Sequence, residues 1–410
     1  MDDIEMDTTA FPLLSSRMKN LETPATIAMS MRARALISQG KKVISLALGE
    51  PDFKTPSFVI DAAYQAAKDG NTKYPPIDGI HSLKKAIQRK FEYENAIRYE
   101  LDEIMVANGV KQILFNALTA TLDAEDEVVL PAPYWTSYPI MVKFLGGNPV
   151  YVMCEEQNNF AMLAKDLRAK ISNKTKWVVL NSPNNPTGAV WSKQTLLAIA
   201  EVLREFPHIW IFCDEIYEHF VFDNQCHYSL AALAPDLKSR ILTANGASKT
   251  YAMPGWRVGY AGACPSLIKA MMKIQSNSTS GACSVSQAAL EAALTKGDEA
   301  VLEMKQAYNR RRQKVQAVLS VLPGFTCVAP QGAFYLYPGI KGCIGKTSKG
   351  GCLIGTDDQF AQALLEEMYV AVVPGSAFGF SPYLRLSYAA DEHILEEACD
   401  RIARFVLQLS

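Results

Sequence analysis

The sequence lacks long apolar runs, paired cysteine spacings and histidine pairs. Its longest apolar stretches are strand-length and broken by polar residues, so no membrane-spanning helix is expected. The nine cysteines include no CxxC, and an odd number cannot pair completely within one chain. Reduced thiols in a cytoplasmic protein are the expectation. The five histidines, His81, His208, His219, His227 and His393, form no HxxxH or HExxH pattern, so no metal is expected. Neither sign of charge prevails, with 41 basic against 42 acidic side chains, which argues against a nucleic-acid or membrane surface. The opening residues, Met1 to Asp7, are acidic and lack the basic end and apolar run of a secretory signal. Gly345-Lys346-Thr347 resembles the end of a P-loop, but the required first glycine falls at Ile340 and no strand-to-helix context surrounds it. Nucleotide binding is therefore not expected there, and residues Gly339 to Gly355 read as a flexible surface loop.

What is present is a chain of 410 residues, about half of them apolar, which is more than one small core usually holds. Short apolar runs at Glu127–Pro131, Trp177–Asn181, Ile209–Asp214 and Ile241–Asn245 have the length and β-branching of buried parallel strands. Helical patterns at Gln112–Leu122 and Leu196–Arg204 alternate with them, predicting an α/β domain over residues 57–300. The last third changes character. A helical pattern from Val301 to Leu322 carries Arg310-Arg311-Arg312, read as a solvated face. Strands are expected near Phe334–Tyr337, Val370–Val373 and Leu384–Tyr388, then a closing helix over Asp391–Leu409. These form a smaller α+β domain, 301–410, which the turn-rich residues 1–56 are expected to join.

Six segments hold residue types suited to chemistry. Lys249 follows a predicted strand, with Arg257 eight residues later. A lysine amine can attack an aldehyde to form a Schiff base if its pKa is lowered, and a nearby arginine both lowers it and can clamp a phosphate. Asp214 ends a predicted central strand, where α/β folds bind ligands, with Tyr217 three residues on. A carboxylate there can keep a pyridine nitrogen protonated. Asn185 lies in a turn stiffened by Pro183, Pro186 and Gly188. Asn108-Gly109-Val110-Lys111 opens a helix whose first N–H groups suit an anion. Trp135 follows another strand and offers a stacking face, and Arg385 stands inside an apolar strand, where a charge needs a partner. Each taken singly has an ordinary alternative: an exposed lysine, an N-cap aspartate, a strand-to-helix turn, a packed ring, a salt bridge between domains.

Taken together they resemble a known family. Gly49-Glu50-Pro51-Asp52-Phe53, Lys73-Tyr74-Pro75, Pro131-Ala132-Pro133-Tyr134-Trp135, Asn185-Pro186-Thr187-Gly188, Asp214-Glu215-Ile216-Tyr217-Glu218-His219, Ser248-Lys249 and Arg385-Leu386-Ser387-Tyr388 are similar to segments of the fold-type I, class I aminotransferases. The resemblance runs from about Thr26 to Phe405 and is strongest to the bacterial-type aspartate aminotransferases of subgroup Ib. It implies a mostly parallel seven-stranded sheet and pyridoxal phosphate held as a Schiff base on Lys249, which also carries the proton between substrate and cofactor. It implies that Asp214 pairs with the pyridinium, that Asn185 and Tyr217 bond the phenolic oxygen, and that Trp135 stacks on the ring. Gly109, Val110, Lys111, Ser248 and Arg257 would hold the phosphate, joined by Tyr74 of a second subunit in a homodimer. Gly49, Trp135, Asn185 and Arg385 would bind the substrate α-carboxylate, and Lys111 the distal one. A lysine frequent in relatives shortly before Ala25-Thr26 is Glu22 here, whereas Thr26 and Lys111 match members that accept prephenate. Amino-acid and 2-oxo-acid substrates follow, with aspartate and 2-oxoglutarate foremost. A ligand sensor on the same scaffold is the rival of a different class, and a lyase or synthase the rival among enzymes.

Overall fold

The computed structural model describes residues 15, 17, 18, 21 and 25–410. Its strands are β1 (Ile44–Ser45), β2 (Ile104–Ala107), β3 (Glu127–Ala132), β4 (Asn148–Met153), β5 (Thr175–Asn181), β6 (Trp210–Asp214), β7 (Ile241–Gly246), β8 (Gly259–Gly262), β9 (Tyr335–Leu336), β10 (Val370–Ala371), β11 (Val373–Pro374) and β12 (Leu384–Ser387). Seven of them form one sheet in the order β2-β8-β7-β6-β5-β3-β4. Only β8 runs against the others, pairing antiparallel with β2 and β7. This is the mostly parallel sheet of fold type I.

Alternation along the strands explains the layers. Val128, Leu130, Trp177, Val179 and Phe212 point to one face, where they meet Ile113, Leu114, Leu118, Leu267 and Met271 of the helices Val110–Thr121 and Pro265–Ser276. Val129, Val178, Leu180, Ile211 and Cys213 point to the other, with Leu196, Ile199 and Leu203 of the helix Lys193–Arg204. Both faces are thus covered, as parallel strands require. Burial of each such side chain contributes about 1.5–3 kcal/mol.

A three-stranded antiparallel sheet, β11-β12-β9, and the parallel pair β1-β10 lie outside the large sheet. The long helix Asp298–Leu319 packs against Glu392–Leu407 beside them. No helix among the described residues is long and apolar enough to cross a membrane.

The structure corrects several expectations. The turn-rich N-terminal segment contains a helix, Ala25–Ser38. Arg311 and Arg312 do not lie on a solvated face: they are 7% and 3% exposed. Three consecutive helical residues span about 200° of the helix, so they cannot all face water. Arg311 instead pairs with Asp52 at 2.8 Å, and Arg312 forks onto Asp223 at 2.5 and 2.6 Å. The segment Gly339–Gly355 is tied down, with Ile340, Cys343 and Ile354 buried and Thr347 bridged to Leu353. The strand expected over Val370–Val373 is two short strands in different sheets.

Candidate active site

The carboxyl ends of the parallel strands converge by register. Asn181 at the end of β5 stands opposite Asp214 at the end of β6, and Asp214 stands opposite Ala244 of β7. Two residues beyond Ala244 the chain leaves β7 and turns into the short helix Ala247–Thr250, which carries Lys249. Next to it, the turn Asn108–Gly109 leads into the helix Val110–Thr121. Gly109 has φ +86°, and a Cβ there would sit 2.8 Å from an Arg257 nitrogen. Glycine is therefore needed both for the backbone conformation and for the close approach of Arg257. Gly259 of β8 lets the same turn pack closely, since its Cβ would lie 2.9 Å from the Val110 nitrogen.

These elements enclose a cavity of roughly 400 Å³. Of the residues singled out in the sequence, Gly49, Val110, Lys111, Trp135, Asn185, Asp214, Tyr217, Ser248, Lys249, Arg257 and Arg385 line it. Gly109 reaches it through Arg257. Tyr74 does not line it; its side chain is 92% exposed.

Lys249 Nζ donates to the Gly49 carbonyl at 2.6 Å. Burial, reinforced by Arg385 and Arg257, brings its ammonium down to about 8, although Glu50 and Asp214 oppose the shift. Asp214 is buried on the cavity floor. Its Oδ2 accepts from the Tyr138 hydroxyl at 2.7 Å and its Oδ1 from the Ile216 N–H at 3.3 Å. Burial still pushes its carboxyl up to about 6. The Tyr217 hydroxyl lies 2.6 Å from that of Tyr335.

Arg385 is 2% exposed and has no carboxylate partner among the described residues. It donates to Asn185 Oδ1 at 3.0 Å and to the Ala47 carbonyl, and it lies over the rings of Tyr335 and Phe378. Its Nε is buried without an acceptor. A guanidinium that lines a cavity and has no carboxylate partner is suited to an anionic ligand. Lys111 sits over the Trp135 ring at 4.9 Å, and burial and Arg257 hold its pKa below the ordinary lysine value.

Arg257 donates to the carbonyls of Pro254 and Asn108, which fixes its fork beside the first turn of the helix Val110–Thr121. The first N–H groups of a helix have no partner within it, so this corner combines free donors, a helix N-terminus and a guanidinium. A phosphate fits that corner, a ring nitrogen fits Asp214, and an aldehyde fits Lys249. Pyridoxal phosphate carries all three groups, and the residues present fit it.

The family model for class I and II aminotransferases matches residues 41–402. The chain belongs to the class I and II aminotransferases. Members of this family depend on pyridoxal phosphate. The enzyme is 48% identical to an aspartate/prephenate aminotransferase of Cereibacter sphaeroides, over 97% of this chain and 99% of the relative. It is 48% identical to an aspartate aminotransferase of Rhizobium meliloti, over 97% of each. The crystal structure of the aspartate aminotransferase from Rhizobium meliloti superposes with a TM-score of 0.94 at 47% identity, covering 97% of this chain and 99% of that one. The Thermus thermophilus aspartate aminotransferase with maleate gives 0.89 at 39%, covering 96% and 99%.

Several residues of the enzyme's cavity carried no signal in the sequence. Tyr138 and Tyr335 read as core aromatics. Ile27 and Leu48, on the cavity wall, are half-exposed apolar residues that stand next to Thr26 and Gly49 but carry no chemical group to single them out. Behind the floor, Glu218 meets Lys90, Asn95 and Asn245, with His219 and His227 close by. That cluster joins residues more than a hundred positions apart and has no local pattern.

Proposed function

We propose that this enzyme moves the amino group of L-aspartate to 2-oxoglutarate, giving oxaloacetate and L-glutamate, with pyridoxal phosphate attached at Lys249. One observation carries the reading. The Lys249 amine, near 8 rather than at the ordinary lysine value, shares one cavity with Asp214, Arg257 and an Arg385 that has no carboxylate partner among the described residues. At neutral pH about a tenth of such an amine is unprotonated, enough to react with an aldehyde.

When bound, the cofactor supplies an aldehyde for amine exchange and an electron-withdrawing ring. Asp214 would keep a proton on the ring nitrogen. Asn185 and Tyr217 would donate to the phenolic oxygen, and Trp135 would cover one ring face. Ser248, Arg257 and the backbone of Gly109, Val110 and Lys111 would hold the phosphate. Lys249 would take the proton from the substrate Cα and return it at C4′ of the cofactor. Arg385, with Gly49, Trp135 and Asn185, would orient the α-carboxylate, and Lys111 would face the distal one.

Two further parts belong to this reading. Residues 57–300 form the cofactor domain, and residues 1–56 with 301–410 the smaller one, a division supported by the β1-β10 pairing and by a large sheet drawn wholly from residues 104–262. The enzyme is a cytoplasmic homodimer in which the exposed Tyr74 serves the phosphate of the neighbouring subunit. The nine free cysteines suit that compartment. Prephenate is a second acceptor, favoured by the name of the Cereibacter relative and by the apolar Ile27 and Leu48 on the cavity wall. Thr26, the other residue bearing on this choice, has its side chain outside the described residues.

The test is direct. The purified enzyme, given pyridoxal phosphate, L-aspartate and 2-oxoglutarate, forms oxaloacetate and L-glutamate, and Lys249→Ala forms neither. A protein that makes no glutamate from aspartate overturns the reading. Faster turnover of prephenate than oxaloacetate would change the named acceptor and leave the chemistry in place.

A further inference from the structure

Tyr138 lies in the first turn of the helix Ser137–Phe144 and Trp135 two residues before that helix, and both line the cavity. Their rings meet edge to face, with centroids 5.2 Å apart, and Tyr138 also packs against Phe212 of β6. The ring of Tyr138 is thereby clamped between a cavity wall and the central sheet, and it is 1% exposed. Its hydroxyl has one protein partner among the described residues, Asp214 Oδ2 at 2.7 Å.

We propose that Tyr138 is a positioning residue that keeps Asp214 ionised and aimed for the ring nitrogen of the cofactor. The proposal rests on the cofactor reading above and adds a residue to it.

An ionised carboxylate can only accept hydrogen bonds, and a buried phenol is an effective donor to it. Burial, the Asp214 charge and the shared hydrogen bond all push the Tyr138 phenol well above its ordinary value, so it stays protonated and keeps donating. The other charged and titratable groups facing Asp214 are Lys249 from the short helix after β7, which favours the anion, and Glu215, which opposes it; Cys213 and Tyr217 at its own strand end are pushed well above their ordinary values and stay neutral. Each of these has another role or no direct bond to the carboxylate. Tyr138 is the side chain that bonds it. Without that donor, burial prevails and the carboxyl takes up a proton at higher pH. It then cannot pair with a protonated ring nitrogen unless a proton is released, which weakens binding about tenfold for each pH unit below the Asp214 midpoint.

The probe is pyridoxamine 5′-phosphate, which has the ring nitrogen and phosphate but no aldehyde, so its binding does not depend on attachment to Lys249. Its Kd is measured on the full-length, cofactor-stripped enzyme from pH 5 to 9. The wild type is expected to lose affinity below about pH 6. Tyr138→Phe is expected to move that acid edge up by about one pH unit, with roughly tenfold weaker binding at pH 6 and little change at pH 8. Site-specific 3-fluorotyrosine at position 138 keeps the ring and strengthens the donor, so its edge moves down; it also serves if the Phe variant folds poorly. An edge that moves in neither variant overturns the proposal, as does an equal loss of affinity at every pH, which would mark Tyr138 as packing only. Absence of binding by the wild type at all pH values would overturn the cofactor reading and this inference with it.

Discussion

Asp214 and Glu218 are two fully buried carboxylates four residues apart, and the protein moves them in opposite directions. Burial raises Asp214 to about 6. Burial also pushes Glu218 up, but Lys90, His219 and His227 together outweigh it and bring the carboxyl down to about 2. The difference lies in the neighbours. Glu218 belongs to a closed cluster in which Lys90, Asn95 and Asn245 all donate to it. Asp214 has a phenol, one backbone N–H and an open cavity. The cations divide in the same way. Lys90, Arg311 and Arg312 are buried against carboxylates. Arg385 is buried, and Lys249 half-buried, with carbonyl or amide oxygens as acceptors. Where the fold satisfies its buried charges, the cluster is structural. Where it leaves them short of partners, the ligand is expected to complete them.

The largest effects should separate the two groups of cations. Lys249→Met is expected to abolish transamination and to raise the melting temperature of the cofactor-free enzyme, because it removes a desolvated amine that has no carboxylate partner. Lys90→Met is expected to do the reverse in stability, costing about 3–5 kcal/mol because Glu218 is left buried and unpaired. Thermal melts of both variants without cofactor check this. A Lys249→Met protein destabilised as much as Lys90→Met would erase the distinction.

The two carboxylates give the next test, through pH. Asp214 has a folded pKa above its unfolded value, so the stability it contributes is present below about pH 4 and is lost as pH rises through about 6. Asp214→Asn should therefore stabilise the cofactor-free enzyme above pH 6, and the gain should vanish towards pH 4. Glu218 has a folded pKa below its unfolded value, so its contribution is present above about pH 4.5 and is lost as pH falls towards 2. Glu218→Gln should destabilise at pH 7, with a deficit that narrows in acid. Urea titrations at a series of pH values report both slopes, and slopes of the same sign would contradict the contrast.

The floor of the site was far more legible in the sequence than its surroundings. Asp214, Asn185 and Lys249 follow apolar, strand-length runs, and a parallel sheet brings the ends of such runs together, so local pattern gave global position. The run of Arg310, Arg311 and Arg312 misled because composition suggests a solvated face, whereas the partners Asp52 and Asp223 lie far away in sequence. β8 escaped notice because its Gly259-Tyr260-Ala261-Gly262 sequence is chosen for close backbone approach, not for apolar content. Tyr138 was missed because its function depends on a hydroxyl meeting a carboxylate 76 positions away.

The smallest expected effect concerns Lys111, which stands between the two kinds of cation. It is exposed over much of its length, lies over Trp135 and is held below the ordinary lysine value by desolvation and by Arg257. No carboxylate pairs with it among the described residues. Only the distal carboxylate distinguishes aspartate by charge from phenylalanine, so one cation at the cavity wall should govern that choice. A hydrogen bond to a charged group contributes about 1.5–3 kcal/mol, or roughly ten- to a hundredfold. The Lys111 amine keeps its stacking contact while it waits for a ligand, and giving that up should place the loss near the lower end. Lys111→Ala is thus expected to lower kcat/KM for aspartate and glutamate by about tenfold and to leave phenylalanine nearly unchanged. Cofactor affinity must be measured beside it, because the backbone N–H of the same residue is expected at the phosphate. Equal losses for aspartate and phenylalanine at unchanged cofactor affinity would assign Lys111 to the structural group and remove the main physical support for a dicarboxylate substrate.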